Sequence, residues 1–137
     1  MSLNEKIESV VKLERLYFDR INFWRSGDKI PQQDLKLNFS KSYRFNEPHD
    51  SCIVCLGCNL HDNEDEVFKL EISVTGIFSC NESDSTRRDI LLKKNTLAIL
   101  FPYIRSQISI VTAQPGMEPV VLPPMNIDAI FAESKEK

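Results

Sequence analysis

The chain has 137 residues, 42% of them hydrophobic, with 17 Lys+Arg against 20 Asp+Glu and a formal charge of −3. That balance suits one soluble globular domain able to bury its own core. No apolar run approaches the ~20 residues of a membrane-spanning helix. The opening residues lack the cationic start and long apolar stretch of a signal peptide, and the acidic excess argues against a nucleic-acid partner, which selects a basic face. The expectation is a cytoplasmic domain over residues 10–132, preceded by a disordered or tag-derived segment 1–9 and followed by a polar tail 133–137.

Val10 to Trp24 is rich in aromatic and branched residues, with apolar side chains on both faces. Its alternation slips near Tyr17–Phe18, which predicts a long strand with a bulge or two short strands. Ser26-Gly27-Asp28 and Pro31 open a loop. A second strand is expected from Leu35 to Phe45, a third from Cys52 to Leu60 and a fourth from Val67 to Phe78. In the fourth, Phe68, Leu70, Ile72 and Val74 share one face with period two. The polar turn from His61 to Glu66 joins strands three and four as an antiparallel hairpin.

Beyond Cys80 the pattern becomes helical. Ser83-Asp84-Ser85-Thr86 offers capping residues, and Arg88 to Leu100 is expected to be partly helical. Leu97, Leu100, Phe101, Ile104, Ile108 and Val111 then form one stripe. Pro102 lacks an N–H, so the regular helix is expected to begin near it or kink there. Pro115-Gly116 ends the helix, three prolines hold the next segment extended, and a short terminal helix is predicted over Ile127 to Phe131.

Chemistry-bearing motifs are few. Cys52, Cys55 and Cys58 have the spacing of a thiolate knuckle, with Cys80 or His61 as a fourth zinc ligand. The segment is apolar and β-prone, however, and a strand would put Cys52 and Cys58 on one face and Cys55 on the other. Buried free cysteines are the alternative reading. His49 and His61 sit in polar turns without a nucleophile motif. The acidic run from Asp62 to Glu66 resembles a calcium loop but lacks its glycine, and Ser73 stands where the closing glutamate belongs. No catalytic constellation emerges, and the reading is of a non-enzyme without cofactor.

What remains is surplus apolar surface. Several strands are apolar on both faces, and an antiparallel sheet of that kind needs a second cover. Another subunit or a bound apolar chain would supply it.

Three stretches carry a family resemblance: Leu16-Tyr-Phe-Asp-Arg-Ile-Asn-Phe23; Leu70-Glu-Ile-Ser-Val-Thr-Gly-Ile-Phe-Ser79; and Leu100-Phe-Pro-Tyr-Ile-Arg105 followed by Leu122-Pro-Pro-Met-Asn-Ile-Asp-Ala-Ile-Phe131. In this order, over roughly residues 10–131, they resemble the SecB family of protein-export chaperones. The resemblance implies an α+β fold, a four-stranded antiparallel sheet packed on two helices, assembled as a homotetramer (a dimer of dimers). It implies an ATP-independent holdase that binds unfolded or slowly folding preproteins and passes them to the SecA motor. By the same resemblance the client groove lies between the sheet and the terminal helix with its preceding loop, which points to Phe23, Trp24, Phe39, Val54, Leu122, Met125, Ile130 and Phe131. Glu71 keeps one carboxylate of the family's SecA-facing surface. Arg20 and Trp24 replace two others, and Lys69 replaces an apolar neighbour, so SecA binding is in doubt. Two alternatives stand beside export: a SecB-like chaperone dedicated to one partner such as an antitoxin, and a small metal-binding protein using Cys52/Cys55/Cys58.

Overall fold

The computed structural model describes residues 10–27, 35–62 and 67–136. The expectations for segment 1–9 and for the centre of the acidic turn, residues 63–66, lie outside them. Four strands, β1 (Val11–Arg25), β2 (Lys36–Phe45), β3 (Ser51–His61) and β4 (Phe68–Cys80), are followed by helices α1 (Ser85–Thr112) and α2 (Ile127–Glu136). The sheet is antiparallel throughout and ordered β1-β4-β3-β2, so β1 and β2 are its edges. This is the α+β architecture expected from the sequence.

The period-two residues of β4 and the alternate residues of β3 form one apolar face: Val54, Leu56, Phe68, Ile72, Val74 and Phe78 have at most 1% of their surface exposed. The α1 stripe seals it with Leu92, Leu97, Leu100, Ile104 and Ile108, all fully buried. β1 keeps its apolar side chains on that face through two register shifts, between Leu13/Arg15 and between Phe18/Arg20. Each bulge inserts one residue, Glu14 or Asp19, without flipping the rest of the strand outward. The sequence showed one slip near Tyr17–Phe18; the structure has two.

Asp62 closes the β3–β4 hairpin. Its Oδ1 accepts from the N–H groups of Val67 at 3.3 Å and Phe68 at 3.1 Å. The first residue of the calcium-like run is therefore engaged with backbone donors.

The helix does not begin near Pro102. It starts at Ser85, where Asp84 is the N-cap and its carboxylate accepts from the N–H groups of Thr86 at 3.0 Å and Arg87 at 3.3 Å. Pro102 is interior and exposed. One missing N–H costs less than the apolar contacts that a 28-residue helix makes on both sides of it. The terminal helix also runs further than Phe131, to Glu136, into the segment read as a polar tail. Ala132, Glu133, Lys135 and Glu136 are good helix formers, which local propensity anticipates.

α1 comes close to β4 at Gly76, which points at the helix from the core face. A Cβ there would lie 2.7 Å from the Phe78 ring and 2.8 Å from Leu100 Cδ2. Both neighbours are fully buried and have nowhere to retreat.

The cysteines take strand positions. Cys52 and Cys58 face the core and Cys55 the opposite side. Six residue steps along the strand put Cys52 and Cys58 about 20 Å apart, whereas two sulfurs on one zinc lie about 4 Å apart. Among the described residues no three His, Cys, Asp or Glu side chains are grouped to hold a metal. The metal-binding reading is not supported, for the geometric reason that strand alternation spreads the three sulfurs. Burial instead pushes the Cys58 thiol up to about 12, and it raises those of Cys52 and Cys55.

Two predictions follow from the core. Gly76→Ala should lower stability by about 1–3 kcal/mol, the usual cost of overpacking, read as a lower urea midpoint with an unchanged slope. Cys58 gives a pH signature. Its folded value lies above the unfolded value of 9.0, so the folded state binds more protons between 9.0 and about 12. Stability should be intact below pH 9 and fall as pH rises through that window; denaturation curves of Cys58→Val should fall less steeply there.

Candidate polypeptide-binding groove

The segment between the helices is strapped to α1 by side chains. Arg105 Nε donates to the Leu122 carbonyl at 2.6 Å and Ser109 Oγ to the Val120 carbonyl at 2.8 Å. The Val120 N–H donates to Thr112 Oγ1 at 2.8 Å. Val120 and Leu122 are buried against the helix, and Pro119, Pro123 and Pro124 keep the chain extended on either side of them. Asn126 then caps α2, its Oδ1 accepting from the Ala129 N–H at 3.2 Å.

This places α2 above β2, the far edge of the sheet. Phe131 lies under the Lys41 ammonium, which is 4.6 Å from its ring centroid and 5.8 Å from that of Tyr43. Phe39 meets Phe101 of α1 edge-on at 5.9 Å. Met125, Ile130 and Phe131 are half-buried, as are Phe39 and Tyr43. At the head of α2 an open cleft of about 350 Å³ lies among Ala98, Phe101, Pro102, Arg105, Met125 and Ile127. The candidate site is this cleft together with the half-buried apolar side chains of α2 and β2 beside it, with Arg105 and Lys41 at its rim.

Two of its titratable groups are shifted toward their neutral forms. Burial, the Asp128 carboxylate and Cys52 push the Tyr43 phenol up to about 12, and its O–H donates to the Lys93 carbonyl at 2.9 Å. Burial also raises Asp128, against the opposing pull of Lys41 and Lys94.

Of the residues singled out in the sequence, Phe39, Met125, Ile130 and Phe131 come together, with Leu122 as the buried anchor of their loop. Val54 is fully buried beneath them and belongs to the core. Phe23 shares the helix-facing side but sits on β1, three strand spacings from β2, stacked edge-on against Phe68 at 5.6 Å. Trp24 is on the other face, paired in register with Lys69 and 49% exposed. Adjacent strand residues point to opposite sides, so Phe23 and Trp24 do not line one groove within a chain. Lys41, Tyr43 and Asp128 were not singled out for the groove in the sequence, and Phe101 was read there only as part of the α1 stripe. The alternation Leu37, Phe39, Lys41, Tyr43, Phe45 was visible and puts Lys41 on the apolar face, but a lysine within it reads as solvated.

The face turned away from the helices holds Glu71, which pairs with Arg20 at 3.8 Å. By register Lys12, Arg15, Arg20 and Lys69 of β1 and β4 lie there, as do Lys36 and Arg44 of β2. The carboxylates on this side are Glu71, Glu14, which accepts from Ser79 at 2.7 Å, and Asp19, which acts on Cys55. Among the described residues the face is thus basic, although the whole chain carries −3.

Comparison with known proteins agrees with this architecture. The family model described as preprotein translocase subunit SecB matches residues 13–137. The protein-export protein SecB of Neisseria gonorrhoeae is 27% identical over 143 residues, covering 98% of this chain and 96% of the relative. That of Methylobacillus flagellatus is 37% identical over 71 residues, covering 52% of this chain and 45% of the relative. The Mycobacterium tuberculosis Rv1957 SecB-like chaperone, solved in complex with a ChAD peptide from the Rv1956 HigA1 antitoxin, superposes with a TM-score of 0.66 at 18% identity, covering 88% of this chain and 91% of that one. With four antiparallel strands, two helices and a family match spanning nearly the whole chain, this protein belongs to the SecB family.

Proposed function

We propose that the chain is an ATP-independent holdase that captures unfolded or slowly folding polypeptides in the trough beneath α2. The observation that carries this reading is the set of apolar side chains, Phe39, Met125, Ile130 and Phe131, that pack on the edge of the core and stay only half-buried. A trough of that kind binds extended apolar chain and not its compact state, which pulls the client away from folding by mass action. It supplies few directed polar groups, so affinity comes from apolar area and is tolerant of sequence. A homotetramer, as a dimer of dimers, would present several such troughs and raise avidity for one long client.

Export of preproteins is the family's role and the leading client class. SecA is a weaker partner in this reading: Arg20, Trp24 and Lys69 leave Glu71 in an ion pair on a basic face, which repels a basic docking surface. That same loss favours the second reading, a chaperone dedicated to one partner such as an antitoxin. The architecture shared with a SecB-like chaperone bound to an antitoxin peptide supports it.

The holdase is tested by aggregation of a reduced, unfolded client such as lysozyme with stoichiometric amounts of the full chain. Suppression is expected; unchanged light scattering refutes the proposal. Phe131→Ala with Met125→Ala should weaken client capture at least fivefold while the melting temperature moves by only a few degrees. Equal loss of capture and stability would return both residues to the core. For SecA, the native chain should bind poorly and the Arg20→Asp/Trp24→Glu variant better; tight binding by the native chain overturns that part.

A further inference from the structure

We propose that the sheet face opposite the helices is a second docking surface, for an extended acidic segment whose carboxylates flank an apolar side chain. The register aligns Arg15, Ile77, Ile53 and Arg44 in one row across all four strands. The two arginines stand on the edge strands and the two isoleucines between them, Ile53 with 39% of its surface exposed. Among the described residues neither guanidinium takes part in a hydrogen bond or ion pair. Glu14, the carboxylate beside this row in β1, is engaged by Ser79 at 2.7 Å and Lys12 at 4.0 Å. Asp19 lies beyond it, by Cys55.

The spacing selects the occupant. Three strand gaps put Arg15 and Arg44 about 14 Å apart at their backbones. Residues i and i+4 of an extended chain are about 13 Å apart, and i, i+2 and i+4 point to the same side. A segment patterned acidic-x-apolar-x-acidic therefore offers a carboxylate to each guanidinium and an apolar side chain to the isoleucines. Arginine suits the planar carboxylate because it binds it through two parallel N–H donors.

A polypeptide fits better than nucleic acid. The row carries two cations, the chain as a whole is acidic, and the centre of the row is two isoleucines instead of aromatic platforms on which bases stack. The surface is separate from the trough, since the sheet itself lies between them. Its occupant has a charge pattern unlike that of a generic unfolded client, which makes it a selective site beside a permissive one.

The test is fluorescence anisotropy of a labelled peptide with the core Glu-Ser-Leu-Ser-Glu, titrated with the full chain at low salt. Controls are Lys-Ser-Leu-Ser-Lys, the respaced Glu-Glu-Leu-Ser-Ser and a ten-nucleotide oligo-dT. The proposal expects the first peptide to bind at least fivefold more tightly than each control and to weaken severalfold between 50 and 500 mM salt. Arg15→Glu/Arg44→Glu should weaken it at least tenfold, and Arg15→Ala/Arg44→Ala less but in the same direction. Phe131→Ala/Met125→Ala should leave it unchanged. Equal binding by the respaced peptide or the oligonucleotide, no loss in the arginine variants, or loss in the α2 variant would each overturn the proposal.

Discussion

The fold depends on how closely α1 can approach the sheet. Gly76 faces the helix where any larger residue would meet Leu100 and the Phe78 ring, so its missing side chain sets the separation of the two layers. The fully buried residues of β3, β4 and α1 then close on one another at the density of a protein interior. A helix carrying one interior proline survives because that contact surface extends on both sides of it. The position of α1 in turn decides everything mounted on it.

What is mounted on it is the strap leading to α2. Arg105, Ser109 and Thr112 hold the extended segment by side-chain hydrogen bonds, and Val120 and Leu122 pin it with buried apolar area. The arrangement fixes the start of α2 while leaving Met125, Ile130 and Phe131 only half-covered. The Lys41 ammonium over Phe131 and the burial of Asp128 show an edge of the trough where charge and apolar surface share one space. Partial burial of this kind leaves apolar surface accessible without any folding change.

The two sides of the sheet have opposite characters. One is sealed by helices and edged by an apolar trough; the other carries more cations than carboxylates, with apolar side chains set between them. Edge strands β1 and β2 contribute to both. The bulges in β1 matter for that reason: were Glu14 and Asp19 paired in regular alternation, Leu16 and Phe18 would turn away from the core face that Leu13 and Phe23 occupy.

Element type and order were legible in the residues, because period-two and helical stripes are local. The strands of Phe68 to Val74 and the stripe from Leu97 to Ile108 are of this kind, and so is the separation of Cys55 from Cys52 and Cys58. The start of α1 was harder to read, because Pro102 is a strong local signal that tertiary packing overrides. Half of the groove was legible as an apolar cluster near the C-terminal end. The rest was not: whether Phe23, Trp24 or Val54 joins it depends on strand order and on which side of the sheet each faces. The sequence by itself determined which segments become strands and helices and which residues must leave water. Only the tertiary structure decided which of them meet, because a sheet's order and the seat of its helices are set by contacts between residues far apart in the chain.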